Sequence, residues 1–469
     1  MATSGTNNPI EVSNTDTICA IATPPGVGGI AVVRISGDKC KLLYNNILKN
    51  GAGQGRTLEP QPNSARFCHF YDGPTLIDEV VATFFAAPHS YTGEDVLEIS
   101  CHGSAYVQQR ILEVLVNQGI RTAEAGEFTM RAFVNGKMDL AQAEAVADLI
   151  DSQSEMAHQL AINQLRGGFS KKLSELRRQL VDLSALLELE LDFSDEEVEF
   201  ADRDNLLSIL HDIKHEVSAL TRSFRSGNAI KKGVPVAILG KPNVGKSTLL
   251  NALLHDDRAI VSDIPGTTRD TVEDTIVLDG VTYRFIDTAG IRESSDNIEN
   301  IGIERSFKAA EKAMIVLYVA DTTQANSESL RKDLLNFRNR VNFNDKHLIV
   351  LLNKTDKAPA FKLDADIVSM AISAKNETDI HLVIGKITKL IKSELQHNDT
   401  TITNLRHYEA LCRIMESVKT VENGLHNSLP ADLLMIDIRQ ALYYIGAITG
   451  QVSSDEILGT IFGRFCIGK

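Results

Sequence analysis

The sequence predicts a multidomain α/β protein in which a helical region is interrupted by a doubly wound parallel sheet. Three observations carry that prediction. The first third, to about residue 135, is rich in β-branched residues, glycine and turn signals. From about residue 136 the texture changes to long helices with apolar residues at helical spacing, and between residues 233 and 395 apolar strands alternate with helical stretches. At 469 residues the chain exceeds one ordinary core, so two or three domains are expected. The textures place boundaries at 1–135, 136–232, 233–395 and 396–469, the second and fourth segments being two parts of one helical domain.

Each element follows in order. Residues 1–17 are polar and carry no Lys or Arg, the composition of neither a signal peptide nor a transit peptide. "AVVRIS" and "DVLEIS" read as strands, with "TPPGVGG" and "YTGE" as loops, an α+β pattern. "DLAQAEAVADLI" then sets Leu140, Ala143, Val146 and Ile150 at helical spacing. Further on, Leu173, Leu176, Leu180, Leu183 and Leu187 form a stripe that reads as a bundle core rather than a partner-binding face. Next come five strand candidates, "VPVAILG", "TYRFID", "AMIVLYVA", "HLIVLLN" and "IVSMAIS", in the rhythm of a doubly wound sheet. "HYEALCRIMESVKTVENGL" and "DLLMIDIRQALYYIGAIT" return to helix. Ser453 and Glu456 have capping-box spacing, which predicts a short helix through "DEILGTIF" ahead of "FCIGK".

Composition narrows the class. Hydrophobic content of 43% with 23% charged residues suits a soluble globular protein, and the strongest apolar run is too short to span a bilayer. Six cysteines without a CxxC spacing suggest a reducing compartment, the cytoplasm by default. A net charge of −14 argues against a general, charge-driven grip on nucleic acid. Arg222, Arg225, Lys231 and Lys232 form a local basic cluster, read as a solvated face.

"GKPNVGKS", Gly240 to Ser247, fits the phosphate-loop pattern and sits between a strand and the helix "STLLNALL", where that pattern must sit. Its glycines let the backbone N–H groups of Asn243, Val244, Gly245, Lys246, Ser247 and Thr248 surround phosphates at a helix N-terminus. Lys246 can reach the β- and γ-phosphates, and the Ser247 hydroxyl can ligate Mg²⁺. "NKTD" after one strand and "SAK" (Ser373, Ala374, Lys375) after the next read guanine. Asp356 accepts from N1–H and the 2-amino group, Asn353 contacts the base edge, Lys354 covers the ring, and the Ala374 N–H meets O6. Adenine presents the opposite pattern, so the nucleotide is GTP and a phosphate-loop kinase is excluded. In "GTTRD", Thr268 is the second Mg²⁺ ligand.

"DTAG", Asp287-Thr288-Ala289-Gly290, is a γ-phosphate-sensing segment, yet Ile291 stands where many such segments place a water-orienting glutamine. Asn243 can offer an oxygen near the phosphates, and "IVSDIPGTT" can offer carbonyls and hydroxyls. Together they can hold a monovalent cation that acts where an arginine finger acts. The plainer reading of Asn243, favoured by residue type alone, is a loop residue bonding its own backbone.

The order of domains, with "ATPPGVGGIAVVRISG", "YTGEDVLEISCHG", "KMDLAQAEAVADLID", "GKPNVGKSTLLNAL", "DIPGTTRD", "DTAGIRE…IGIERS" and "FCIGK", resembles the MnmE (TrmE) family of tRNA-uridine modification GTPases. The resemblance covers all but the first fifteen or so residues. It implies an N-terminal folate-binding-like domain through which the protein forms a homodimer, and a FAD- and NADH-dependent partner, MnmG. It implies an aminomethyl or carboxymethylaminomethyl group set on C5 of a tRNA wobble uridine, with 5-formyl- or 5,10-methylene-tetrahydrofolate as cofactor. It also implies K⁺-stimulated hydrolysis, with K⁺ held by the Asn243 and Thr267 side chains and the Ser262 and Ile264 carbonyls. Glu299 would position the water, which is why Ile291 can be apolar, and Arg292 becomes a segment residue rather than an arginine finger. For folate the resemblance points to Arg34, Glu98, Lys137 and Lys469. It sets Cys466 beside them, where a thiol can act as nucleophile or proton donor; the alternative for Cys466 is a small buried residue. Val27 departs from relatives that carry arginine there. A different reading, a GTPase that checkpoints ribosome assembly, lacks the RNA-binding module or duplicated GTPase unit it would need.

Overall fold

The computed structural model describes residues 16–50, 59–192, 203–255, 260–261, 274–286, 299–343, 346–395 and 400–468. The chain divides into two compact units, residues 1–147 with 446–469 and residues 148–445.

The first unit is built on seven strands: β1 (Ile18–Ile21), β2 (Ile30–Ser36), β3 (Leu48–Lys49), β4 (Ser64–Asp72), β5 (Thr75–Phe85), β6 (Val96–His102) and β7 (Arg121–Thr122). Their order in the sheet is β3-β4-β5-β6-β2-β1-β7. Only the β1–β7 pair is parallel. Alternation along the strands decides the faces. Val33, Ile35, Leu97, Ile99 and Cys101 are buried in one core with Leu43 and Tyr44 of helix Cys40–Ile47 and Ile111 and Leu115 of helix Ala105–Asn117. Arg34 and Glu98 sit opposite each other in the β2–β6 register and therefore share the other face.

Helix Leu140–Asp151 begins where Asp139 and Gln142 cap each other. The Gln142 N–H donates to Asp139 Oδ1 at 2.8 Å, and the Asp139 N–H donates to Gln142 Oε1 at 3.0 Å. Leu140 and Ala143 are buried against Phe462 and Phe465, and Val146 packs beside them. Ile150 is exposed instead of extending that stripe. The covering helix, Asp455–Phe462, is eight residues long, about 12 Å. That helix forms as the sequence predicts, but its cap is Ser454, one residue beyond the expected Ser453, with the Ile457 N–H donating to Ser454 Oγ.

The second unit carries the doubly wound sheet: β8 (Val234–Leu239), β9 (Ile260–Val261), β10 (Asp274–Leu278), β11 (Val281–Phe285), β12 (Ile315–Asp321), β13 (His347–Asn353) and β14 (Ser369–Ala371), in the order β14-β13-β12-β8-β11-β10-β9. The five strands from β14 to β11 run parallel, and β10 is antiparallel to both its neighbours. Both faces are covered, so the strands read as continuous apolar runs. Val236 and Ile238 join one core with Leu249, Leu253 and Ile384, while Ala237 and Leu239 join the other with Leu330, Leu334 and Phe337. β8 lies between β11 and β12, where strand order reverses, so a crevice opens beyond its C-terminal end.

The five leucines of the predicted stripe are all buried on helix Gly168–Asp192. Helix Arg203–Lys232 buries Leu206, Leu210, Ile213, Val217 and Leu220 at the same spacing. Truncating any of these leucines to alanine costs about 2–5 kcal/mol. Of the basic cluster, Arg222 and Lys232 are exposed, Arg225 is half-buried, and Lys231 pairs with Asp148 at 2.7 Å. Among the described residues no helix is long and apolar enough to cross a membrane.

Candidate functional site

The loop after β8 is shaped by two glycines. Gly240 has φ 143°, and a Cβ there would lie 2.2 Å from the Val319 carbonyl oxygen. Gly245 has φ 102°, and a Cβ there would lie 2.3 Å from Asn353 Nδ2. No other residue type fits either place. Gly245 caps helix Lys246–Leu254 without a side-chain hydrogen bond, leaving the first-turn N–H groups for an anion. Lys246 folds over the loop, donating to the Gly240 carbonyl at 2.7 Å and the Lys241 carbonyl at 2.8 Å. Burial lowers its pKa, so a phosphate that pairs with it recovers a cost already present in the fold. Ser247 and Thr248 stand exposed on the first helical turn, and Val244 is buried beneath. Asn243 is exposed and left-handed, at φ 61°.

The "NKTD" and "SAK" segments, expected from the sequence to read guanine, end β13 and follow β14, on the same rim. Asn353 is buried, and both ends of its amide are used: Nδ2 donates to the Val244 carbonyl at 2.8 Å, and Oδ1 accepts from the Ala374 N–H at 2.9 Å. It thus ties the phosphate loop to the "SAK" segment, a part that the sequence reading did not assign to it. Lys354, also left-handed at φ 68°, donates to the Asn243 carbonyl at 2.8 Å and to Asp321 at 2.6 Å. Asp356 is exposed, with one oxygen accepting from Ser373 Oγ at 2.9 Å. Ser373 is itself anchored, its N–H donating to Asp379 at 2.7 Å, and Lys375 is exposed.

Sequence reasoning missed Asp321. It ends β12, and it is opposite Asn353 in the β12–β13 register. Burial alone raises its pKa, but Lys354 and Thr323 outweigh that and hold the carboxyl below its ordinary value. The available signal was an acid closing an apolar strand that ends on the same rim as the phosphate loop.

Other expected residues are placed in part. Ser262, Ile264, Thr267, Thr268, Asp287, Thr288, Ala289 and Gly290, with Ile291 and Arg292, lie outside the described residues, as does Lys469. The chain enters the "DTAG" segment from β11, where the Ile286 N–H still donates to the Val236 carbonyl at 2.9 Å. Glu299 opens helix Glu299–Lys312.

In the first unit a second cluster forms. Arg34 Nε donates to Glu98 at 2.8 Å, both side chains being about a quarter exposed, and Arg34 Nη1 reaches the Gly468 carbonyl at 3.4 Å. The guanidinium lies 5.4 Å from the Tyr91 ring centroid and 5.7 Å from that of Phe128. Segment 465–468 is held against the unit: the Gly126 N–H donates to the Cys466 carbonyl, and Ala125 bridges Ile467. Cys466 is exposed rather than buried. By contrast Cys19 and Cys101 are buried, which pushes each thiol up to about 11 and leaves it inert. Lys137 is turned to the Pro88 carbonyl at 2.9 Å.

Comparison with known proteins covers both units. The family model "MnmE helical domain" matches residues 140–466, and "GTP-binding protein TrmE N-terminus" matches residues 17–137. A protein of Flavobacterium psychrophilum named tRNA modification GTPase MnmE is 46% identical over 97% of this chain and 99% of its own length. One of the same name from Parabacteroides distasonis is 48% identical over 97% of this chain and the whole of that protein. Another, from Christiangramia forsetii, is 46% identical over 97% and 99%.

Proposed function

Because this chain belongs to the MnmE (TrmE) family of tRNA modification GTPases, we propose that it hydrolyses GTP to GDP and phosphate at the β8 rim as part of modifying C5 of a tRNA wobble uridine. The observation that carries the reading is the convergence on one rim of a glycine-shaped phosphate loop, Lys246, and the Asn353–Asp356 and Ser373–Lys375 segments. Exposed Asp356 is free to bind a base edge, and Asn353 joins base and phosphate halves so that filling one orders the other.

Mg²⁺ fits the exposed Ser247 hydroxyl on the first helical turn, with Thr268 as the further ligand; when bound it neutralises phosphate charge. K⁺ is assigned to Asn243, which is exposed on the phosphate loop with a left-handed backbone, so that an amide oxygen is available at the loop surface. Thr267 and the carbonyls of Ser262 and Ile264 complete that set, and Glu299 orients the water. The chain's own work is to cradle the phosphates with loop N–H groups, hold Lys246 against them and keep the base in register.

Tetrahydrofolate, as its 5-formyl or 5,10-methylene form, is assigned to Arg34, Glu98, Lys137 and Lys469. Support for this comes from a carboxylate and a guanidinium that remain partly exposed beside two aromatic rings, groups suited to a pterin edge and face. The one-carbon unit it carries would be handled beside Cys466. The working assembly is a homodimer joined to MnmG and acting on tRNA in the cytoplasm, and the domains run 1–135, 136–232 with 396–469, and 233–395.

The test is mass spectrometry of tRNA nucleosides from a deletion strain, with and without the gene restored. Loss of C5 modification at the wobble uridine, returned by the gene, supports the proposal. Normal tRNA alongside accumulated ribosomal precursors would refute it.

A further inference from the structure

We infer that Asp321 is a positioning residue of the nucleotide site, acting through Lys354 to hold the Asn243 peptide of the phosphate loop in its left-handed shape. Asn243 at φ 61° and Lys354 at φ 68° both occupy a backbone region that disfavours a side chain. These two strained residues are joined by one bond, from Lys354 Nζ to the Asn243 carbonyl at 2.8 Å. A lysine on its four-carbon stem does not hold such a position unaided, because its rotamer freedom is large.

Asp321 supplies the restraint. Its Oδ2 accepts from Lys354 Nζ at 2.6 Å, and its Oδ1 accepts from the Thr323 N–H at 2.9 Å and from Thr323 Oγ1 at 2.7 Å. The residue is 2% exposed, so its geometry is set by packing. The backbone beneath is laced as well: the Thr322 N–H and hydroxyl each donate to the Asn353 carbonyl at 3.0 Å. Only a carboxylate serves both sides. An amide turned to accept from Lys354 faces the Thr323 N–H with its own NH₂, and turned the other way it faces the ammonium with that NH₂.

The consequence concerns affinity and cation choice together. Freeing Lys354 releases the Asn243 peptide, which widens the loop and moves the side chain assigned to K⁺. The affinity arm needs only GTP binding at this rim, whereas the cation arm rests on the K⁺ reading above.

The experiment uses the full chain with Asp321→Asn, Asp321→Ala, Lys354→Ala and the Asp321→Ala/Lys354→Ala pair. Affinity and release of a fluorescent GDP analogue are measured, then hydrolysis in K⁺ and in Na⁺. Each single variant is expected to weaken GDP binding about tenfold, the pair no more than about twofold beyond the weaker single. Guanine-over-xanthine preference stays as in the natural protein, because Asp356 is untouched. Independent, multiplying losses would overturn the inference, as would an Asp321→Asn affinity equal to that of the natural protein. The Asn variant preserves shape, so should Asp321→Ala fail to fold, the affinity of Asp321→Asn decides. If the natural protein hydrolyses GTP equally in both salts, the K⁺ reading fails while the affinity arm still tests Asp321.

Discussion

Replacing Asn353 by alanine should damage nucleotide binding far more than it damages the fold. The side chain is 3% exposed and makes two internal bonds, one to each half of the nucleotide site. Removing it leaves the Ala374 N–H, itself in a residue only 5% exposed, without its acceptor, and the Val244 carbonyl without its donor. An orphaned buried polar group costs about 1–3 kcal/mol, so two together cost about 2–4 kcal/mol when the loops relax in part. The strands and helices around these loops keep their apolar burial, so the strained pair escapes by opening the loops to water. The binding-competent arrangement then becomes a minor state, and apparent affinity falls by that fraction. At 1.4 kcal/mol per tenfold, the expected loss in GDP affinity is about 30- to 1000-fold. Titration with a fluorescent GDP analogue measures it, and urea unfolding followed by far-UV circular dichroism checks that the midpoint moves little. An affinity within threefold of the natural protein would show that the two bonds are incidental. An equal loss in both measurements would mean that Asn353 supports the fold and not the site.

Other expectations are simpler to state. Hydrolysis should be faster in K⁺ than in Na⁺ at equal ionic strength, and Asn243→Ala should erase most of that difference while GTP still binds; equal natural rates in both salts would end the cation reading. Asp356→Asn should exchange guanine for xanthine preference, because an amide can donate to the xanthine 2-oxo group, and retained GTP affinity would refute the base assignment. Cys466→Ser should abolish uridine modification with GTP hydrolysis near normal, whereas unaltered nucleoside levels would reduce segment 465–468 to packing.

The sequence made some of this legible and not the rest, for reasons that differ by element. β8, β12 and β13 are long apolar runs buried on both faces, so periodicity and length identify them without tertiary information. The phosphate loop is as plain, because its glycines answer local needs of backbone shape. Two-residue strands such as β3, β7 and β9 exist only because a neighbour pairs with them, and they leave no local pattern. Asn353 was recognised by its motif, but its bonds to Val244 and Ala374 span distances in sequence that no motif reports. Asp321 went unseen for the same reason: its lysine partner, Lys354, is 33 residues away, just past the end of β13. The shift of the cap from Ser453 to Ser454 is a smaller failure, since adjacent serines offer the same hydroxyl and only packing selects between them.

The first unit is assembled from residues 1–147 and 446–469, so everything from 148 to 445 is synthesised between its two parts. At about 5–20 residues per second, the earlier part waits on the ribosome for tens of seconds before the later part emerges. During that interval Met130, Phe133, Leu140 and Ala143 lack the phenylalanines of 462 and 465 that cover them in the finished unit. The nascent chain therefore carries a sticky apolar surface whose lifetime is fixed by translation speed rather than by its own folding rate. The second unit has all its strands in one continuous stretch, but its helices Gly168–Asp192 and Arg203–Lys232 likewise wait for partners at residues 405–445, such as Glu422 for Lys214 and Met435 for Ser184. Slower translation should therefore prolong the exposure of that apolar surface in proportion, which chaperone capture of pulse-labelled nascent chains would register.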